Sequence, residues 1–521
     1  MVGASSSNRP VSKKPDRNQR WGHSRQHHVA VPGDGDGAVT VRIRAMWPSR
    51  AAQTTVMTTD KPPAVNPDPL ISTGHDSLDT HSAIPKVGHL PAAQIHQMLQ
   101  QRWGDALLQR LHVIGRIAAN LGTPAYLVGG SVRDLLQNHP TPDVDLAIEG
   151  DVRAVAGACS AELSGVQCTY HPQFGTAILQ YPDGFQLDLA RCRIEHYPAP
   201  AALPEVRPGD IQADLIRRDF TINAMAISLN PEKFGDFLDP YGGRDDLQQN
   251  LLRVLHPLSF LDDPTRILRG LRFAVRFQLR LEADTRGLLE EALAQDIFAR
   301  LSGARLWREL KYLLELTDLA AAFEELGAWQ LWALLRPAPL ELEALLARIR
   351  RGQQETNWFH CHFSGEKLFG AAVLLTILWR DIPWAEAEKR LHYWPLADGR
   401  HILNDLHLLS EMPAALAKAS RPSAVARLWE SLSLPGILAL LAEYPETDAV
   451  TESGHYYLLK QRGLTSPLNG RDLQALGLAP GPQLGKVLRR LRDARLDGAI
   501  KDKETAQQWL IRQGILPSIQ P

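Results

Sequence analysis

Asp143 and Asp145, separated by one residue in the stretch DVDLAIE, are the residues whose spacing most invites chemistry. Successive side chains on a strand point to opposite faces, so these two carboxylates project from the same face. Two negative charges held that close repel each other unless a cation lies between them. Carboxylate oxygens are hard donors that suit Mg²⁺, an ion that keeps positions for water and substrate phosphates. Asp188, in the later run FQLDLAR, is a candidate third ligand. The alternative is a pair of surface acids following the PTP turn.

Three further stretches carry chemistry of a matching kind. In LVGGSVRDLL, Gly129 and Gly130 close a strand, and a helix opens at Ser131. Glycines let backbone N–H groups approach an anion, and a helix N-terminus adds a favourable field for phosphate. Arg133 can add a charge-assisted contact, although the same residues also describe a plain tight turn. In RRDFTINAMA, Arg218 is suited to a triphosphate, and Asp219 and Asn223 are suited to a ribose hydroxyl or to bracing a loop. A capped helix with a salt bridge is the alternative there.

The stretch LDDPTRILRGLRFAVRFQLR, residues 261–280, is the most informative. At about 100° per residue, Arg266, Arg269, Arg272, Arg276 and Arg280 share one sector of a helix, and Ile267, Leu268, Leu271, Ala274, Val275 and Leu279 share the other. This predicts one buried face and one cationic ridge, with Phe273 and Phe277 beside it for stacking on a base. Solvated faces usually mix signs, so arginines with no intervening acid predict an anionic partner. Asp263 and Arg266 reach the same place from positions three apart. An aspartate accepts from the exocyclic amine of C or A, and an arginine donates to the adjacent ring acceptor; U and G would set an acceptor against the carboxylate. An ordinary surface ion pair is the alternative.

The elements that must position these residues are legible from periodicity. AAQIHQMLQQRWGDALLQRLHVIGRIAANLG has helical spacing and stops at Gly122. AYLVGG, DVDLAIE, TAILQY and FQLDLAR read as strands, with helical RAVAGACSAELSG between the second and third. From Asp246 onward the pattern is almost wholly helical. Residues 1–85, rich in Ser, Pro, Gly and Asp, read as a disordered extension, with Met57 a second candidate start.

Composition bounds the remainder. At 521 residues and 44% hydrophobic the chain is long enough for several domains. No apolar run approaches the roughly 18 residues of a membrane span, so a cytoplasmic protein without a membrane partner is expected. Cys159, Cys168, Cys192 and Cys361 have no CxxC spacing, which indicates neither a zinc knuckle nor a disulfide framework. A net charge of −1 gives no global argument for nucleic-acid binding and leaves it to local clusters. Lys486, Arg489, Arg490, Arg492 and Arg495 form one such cluster, equally readable as phosphate grip or solvated helix. His360, Cys361 and His362 stand too close together to satisfy a tetrahedral metal alone.

In order and interval, GGSVRDLL, DVDLAI, RRDFTINAMA, DPYGGRDDL and LDDPTRILRGLRFA resemble the class II tRNA nucleotidyltransferase and bacterial poly(A) polymerase family of the polymerase β superfamily. The likeness is good over residues 98–315 and compositional beyond. It implies an α+β fold: a polymerase β-like head with a mixed sheet and helices, then an all-α neck, body and tail. The corresponding spans are 86–228 for the head, 229–315 for the neck, 316–400 for the body and 401–521 for the tail. It implies addition of C, C and A from CTP and ATP to the 3′ end of tRNA, with no protein partner. Asp143 and Asp145 would hold two Mg²⁺ ions at the α-phosphate, one activating the RNA hydroxyl and one neutralising pyrophosphate. Nucleotide contacts are implied for Gly129, Gly130, Arg133, Arg218, Asp263, Arg266, Arg269 and Arg272. The family's acid-acid-x-x-Arg motif usually begins with Glu, and here Asp262 stands in its place. CC-only or A-only addition, poly(A) synthesis, a small-molecule nucleotidyltransferase and a noncatalytic RNA-binding protein stay open as alternatives. The normal length of the segment RCRIEHYPAPAALPEVRPGDIQADLI favours A addition.

Overall fold

The computed structural model describes residues 90–139, 144–337, 341–396 and 399–517. The expected disordered extension and Asp143 therefore lie outside the described residues. Described structure opens with α1 (Ala92–Asn120), whose Ile95, Leu99, Leu111, Ile114 and Ile117 repeat at helical spacing and are fully buried. The helix is not continuous. Gly104 takes φ 74° and ψ 171°, which breaks the hydrogen-bond ladder into two segments.

The head then builds β1 (Ala125–Val128), α2 (Gly130–Leu136), β2 (Asp145–Ile148), α3 (Val152–Glu162), β3 (Gln167–His171), β4 (Thr176–Gln180) and β5 (Gln186–Arg191). A hairpin of β6 (Arg193–His196) and β7 (Glu205–Pro208) leads to α4 (Ile211–Ile216), β8 (Ala226–Ser228) and β9 (Phe237–Leu238). The strands form one seven-stranded sheet in the order β3-β4-β5-β2-β1-β8-β9. All neighbours are antiparallel except β2 and β5, which run parallel. The four strands expected from alternation are present as β1, β2, β4 and β5. The sheet also gains β3, β8 and β9, which are too short or too polar to announce themselves.

Alternation gives the sheet two unlike faces. Leu127, Leu146, Ile148, Ala177, Leu179, Leu187 and Leu189 enter the main core beneath α1 and α3. Val128, Ala147 and Ala226 point the other way into a small core with Ile211 and Leu215 of α4. Because α4 covers only part of this second face, its remaining half stays open, and Asp145 and Asp188 lie on it.

The helical region follows as α5 (Gly243–Gln248), β10 (Leu251–Leu252), α6 (Ser259–Asp262), α7 (Thr265–Phe277), β11 (Arg280–Leu281), α8 (Ala283–Ala294) and α9 (Gly303–Leu314). Helices continue to Arg512. One core runs from Leu90 to Leu458, so head and helical region share their interior, and a separate small core joins residues between Leu468 and Leu516. Among the described residues no single helix is long and apolar enough to cross a bilayer. Burial pushes the Cys159 and Cys192 thiols up to about 12, which makes them inert core groups.

Head and α7 meet where Phe220, fully buried, packs on Gly270. A Cβ added at Gly270 would lie 2.7 Å from the Phe220 ring. Gly270→Ala therefore overpacks this contact. It is expected to destabilise the protein by about 1–3 kcal/mol, outweighing a helix-propensity gain of about 1 kcal/mol. A melting temperature at or above that of the wild type would show the contact to be slack.

Candidate active site

Asp145 stands at the first position of β2, and its backbone N–H donates to Ser131 Oγ at 3.0 Å, which ties the strand to the start of α2. In the parallel ladder Asp145 is the direct partner of Asp188 on β5. Directly paired residues share a face, so both carboxylates open onto the same cavity. This donor set, two carboxylates from adjacent strands, fits a hard divalent cation that keeps water or phosphate in its remaining positions. Among the described residues no cluster of three or more ligating side chains forms.

Gly129 caps α2 with φ 67° and ψ −129°, a region closed to most residues. The glycine is needed for space as well, because a Cβ there would stand 2.5 Å from Arg218 Nη1. Gly130 follows as the first residue of α2.

Arg133 is 5% exposed, and each of its guanidinium nitrogens has an acceptor: Nε and Nη2 donate to Asp134 Oδ1 at 2.9 and 2.7 Å, and Nη1 donates to Asn223 Oδ1 at 2.5 Å. Its guanidinium lies over the Phe277 ring at 4.3 Å and the Phe273 ring at 5.3 Å. Asn223 Nδ2 donates in turn to Asp219 Oδ1 at 2.9 Å, and Arg269 donates to Asp219 Oδ2 from Nε at 3.0 Å and Nη2 at 2.6 Å. Asp219 and Asn223 thus brace the site from inside. Burial alone would raise the Asp219 carboxyl, but Arg269 and the Asn223 hydrogen bond overcome it and hold the group below its usual range. Asp214 behaves in the same way: burial opposes and Arg218 and Arg217 prevail, with Arg218 Nη2 at 2.8 Å.

The expected cationic ridge needs correction on two points. Gln278 turns left-handed at φ 54° and ends α7, so Arg280 leaves the helix for β11. Of the remaining arginines Arg276 is exposed and lies over the Phe277 ring, but the other three are not a solvated row. Arg266 is 4% exposed and donates to Ser259 Oγ and to the Arg217 carbonyl, both at 2.7 Å. Arg269 meets Asp219, and Arg272 Nη1 stands 3.6 Å from Glu309 Oε2. The acids come from distant segments and are invisible in the arginine stretch itself.

Asp263 and Arg266 line the same cavity but do not pair with each other. Asp263 Oδ1 instead accepts from Arg305 Nη2 at 3.0 Å and from Thr265 Oγ1 at 2.6 Å. Arg305 also donates from Nη1 to the Ala201 carbonyl at 2.6 Å, so one residue of α9 fastens both Asp263 and the loop between β6 and β7. The cavity, about 570 Å³, brings together Gly130, Arg133, Asp145, Arg218, Asp263, Arg266, Arg269 and Arg272. Gly129 adjoins it. The sequence reading missed Glu195, Tyr197, Arg308 and Glu309 in the cavity wall and Arg305 behind Asp263; for the three on α9, RLWREL at helical spacing was the available signal. In the C-terminal basic cluster, Arg492 pairs with Glu430 and Arg495 Nη1 donates to the Thr465 carbonyl at 2.9 Å, so part of it is structural.

The arginine-walled cavity reaches Asp145, whose register partner Asp188 lines the cavity adjoining it. Residues 125–253 match the family model described as the Poly A polymerase head domain. The chain is 33% identical over 404 residues to the A-adding tRNA nucleotidyltransferase of Halalkalibacterium halodurans, covering 77% of this chain and 91% of that one. It is 31% identical over 415 residues to the A-adding tRNA nucleotidyltransferase of Geobacter sulfurreducens, covering 77% of this chain and 46% of that relative's length. A solved structure of a CCA-adding enzyme in apo form II superposes with a TM-score of 0.70 at 30% identity, covering 80% of this chain and 98% of that one. The chain belongs to the tRNA nucleotidyltransferase family of enzymes.

Two outcomes follow for the buried bridge. Asp219→Ala is expected to destabilise by about 3 kcal/mol, at the low end for a broken buried pair because Arg269 keeps 38% of its side chain exposed. A melting shift within error of zero would remove the bridge from the folding energetics. A carboxyl depressed in the folded state contributes stability above its unfolded value, about 3.9, which is lost as pH falls through the lower folded value. Wild-type stability should therefore drop more steeply than that of Asp219→Asn below about pH 4, and parallel curves would contradict the assignment.

Proposed function

We propose that this enzyme transfers nucleotides to the 3′ end of tRNA without a nucleic-acid template, AMP addition from ATP being the step that full CCA addition and A addition share and CC addition lacks. The observation that carries it is the joint placement of Asp145, Asp188 and the arginine cavity around Asp263 and Arg266. In this reading Gly129, Gly130, Arg133, Arg218, Arg269 and Arg272 form the triphosphate wall, and Asp263 with Arg266 reads the base edge. The RNA 3′ oxygen bonds to the α-phosphorus and the bond to the bridging oxygen breaks. Pyrophosphate leaves with the electron pair, and the hydroxyl proton passes to solvent. Asp145 and Asp188, joined by Asp143, would hold Mg²⁺, which when bound in pairs favours the ionised 3′ hydroxyl and neutralises the leaving charge. The cytoplasm, where tRNA and nucleotides are available, is the proposed setting.

Full CCA addition from CTP and ATP is the broader form of this activity, supported by the likeness to the CCA-adding enzyme. Addition of A alone is the second reading, favoured by the A-adding names of both curated relatives described above. Incubation with Mg²⁺ and tRNA ending before CCA, or ending in CC, with CTP, ATP or both, distinguishes them by product length. Three added residues establish CCA addition, arrest after two establishes CC addition, and extension of the CC-ended tRNA only establishes A addition. No extension of either tRNA refutes the proposal. Asp145→Ala should abolish transfer while tRNA binding persists, and retained transfer would remove Asp145 from the metal site. Asp263→Ala should blur nucleotide choice more than it weakens triphosphate binding; unchanged choice would refute base reading.

A further inference from the structure

Two cavities meet at Asp145. The one of about 570 Å³ is walled by arginines, whereas the other, about 350 Å³, is of different character. The second runs over the open half of the sheet and is lined by Asp188, His171, Thr176, Ile178 and Ala190. The pairing register shows why these residues share a face. His171 is partnered with Thr176, Thr176 with Ala190, Ala190 with Ala147, and Ile178 with Asp188. Among the described residues no hydrogen bond or ion pair engages the His171 ring.

The two cavities share Asp145, Arg217 and Arg218. Both arginines are already neutralised on the second side by Asp214, and Arg217 also by Glu195. The second cavity therefore has little positive charge to offer a phosphate. It offers an aliphatic floor, a hydroxyl and an imidazole, the combination that suits a base and ribose. In-line transfer at the α-phosphate requires the attacking oxygen on the side opposite the leaving pyrophosphate. With the triphosphate on the arginine side of Asp145, the attacking hydroxyl must arrive from the other side.

We propose that this second cavity seats the 3′-terminal nucleoside of the acceptor tRNA, with His171 stacking on its base and Ile178 forming the floor beneath. His171 is thus a positioning residue for the acceptor and has no part in binding the incoming nucleotide. The inference rests on the nucleotide-transfer reading above and assigns the acceptor's place within it.

The test is steady-state AMP transfer to CC-ended tRNA by the full chain, with KM measured separately for tRNA and for ATP. His171→Ala should raise the tRNA KM about tenfold, and the ATP KM should stay within about twofold. His171→Phe, which keeps a stacking ring, should restore most of the loss. Ile178→Asp, placing a carboxylate on an open strand position, should raise the tRNA KM at least as much. An unchanged tRNA KM in both His171→Ala and Ile178→Asp would overturn the proposal, as would a parallel rise in the ATP KM. A wild-type chain that transfers no AMP would sink the parent reading and this one together. An active wild type with indifferent variants would sink this one alone.

Discussion

The site depends on one continuous chain of polar contacts: Arg133 to Asn223, Asn223 to Asp219, Asp219 to Arg269. Its ends sit on α2 in the head and α7 in the helical region, and its first and last links are side-chain contacts between segments far apart in sequence, joined by the local contact of Asn223 with Asp219. Buried charges of this kind seldom add net stability relative to an apolar core, but removing one member leaves the next unpaired in low dielectric. The arrangement therefore fixes geometry more than it deepens the energy well. It holds the arginines of the cavity wall in fixed positions relative to Asp263 and Arg266.

The same contacts explain how so many arginines coexist around one cavity. Asp134, Asp214, Asp219 and Glu309 are all buried or nearly so, and each faces at least one guanidinium. Glu309 Oε2 is buried with no hydrogen-bond partner, so the wall is compensated in charge without being saturated in hydrogen bonds. An anionic ligand entering here meets donors that are already oriented, which limits the entropy lost on binding.

Much of this was legible in the sequence because the chemistry is local. Asp145, Gly129, Gly130, Arg133 and Arg218 fall within short runs whose spacing states their geometry, and all stand at or beside the cavity. What remained hidden was pairing between runs. Nothing in RILRGLRFAVRF announces that Arg269 will meet Asp219 or that Arg305 will take Asp263 from Arg266. Helix ends were also misjudged where the usual signal was missing: Gln278 adopts the left-handed turn normally given to glycine, and Gly104 breaks a run that periodicity alone would continue. The hairpin of β6 and β7, with charged and exposed residues and a proline at its end, carries too little apolar alternation to read as strand.

The parallel register of β2 against β5 also sets where this chain can tolerate changes in length. Between Asp145 and Asp188 the path runs through α3, β3 and β4, and its turns can lengthen or shorten at small entropic expense. Inside β5 the tolerance vanishes. One residue inserted or deleted there turns Asp188 into the apolar interior and brings Leu187 or Leu189 to the carboxylate face, reversing both at once. Insertions and deletions among relatives should therefore collect in the turns of this meander and spare its strands, independently of any loss of individual side chains.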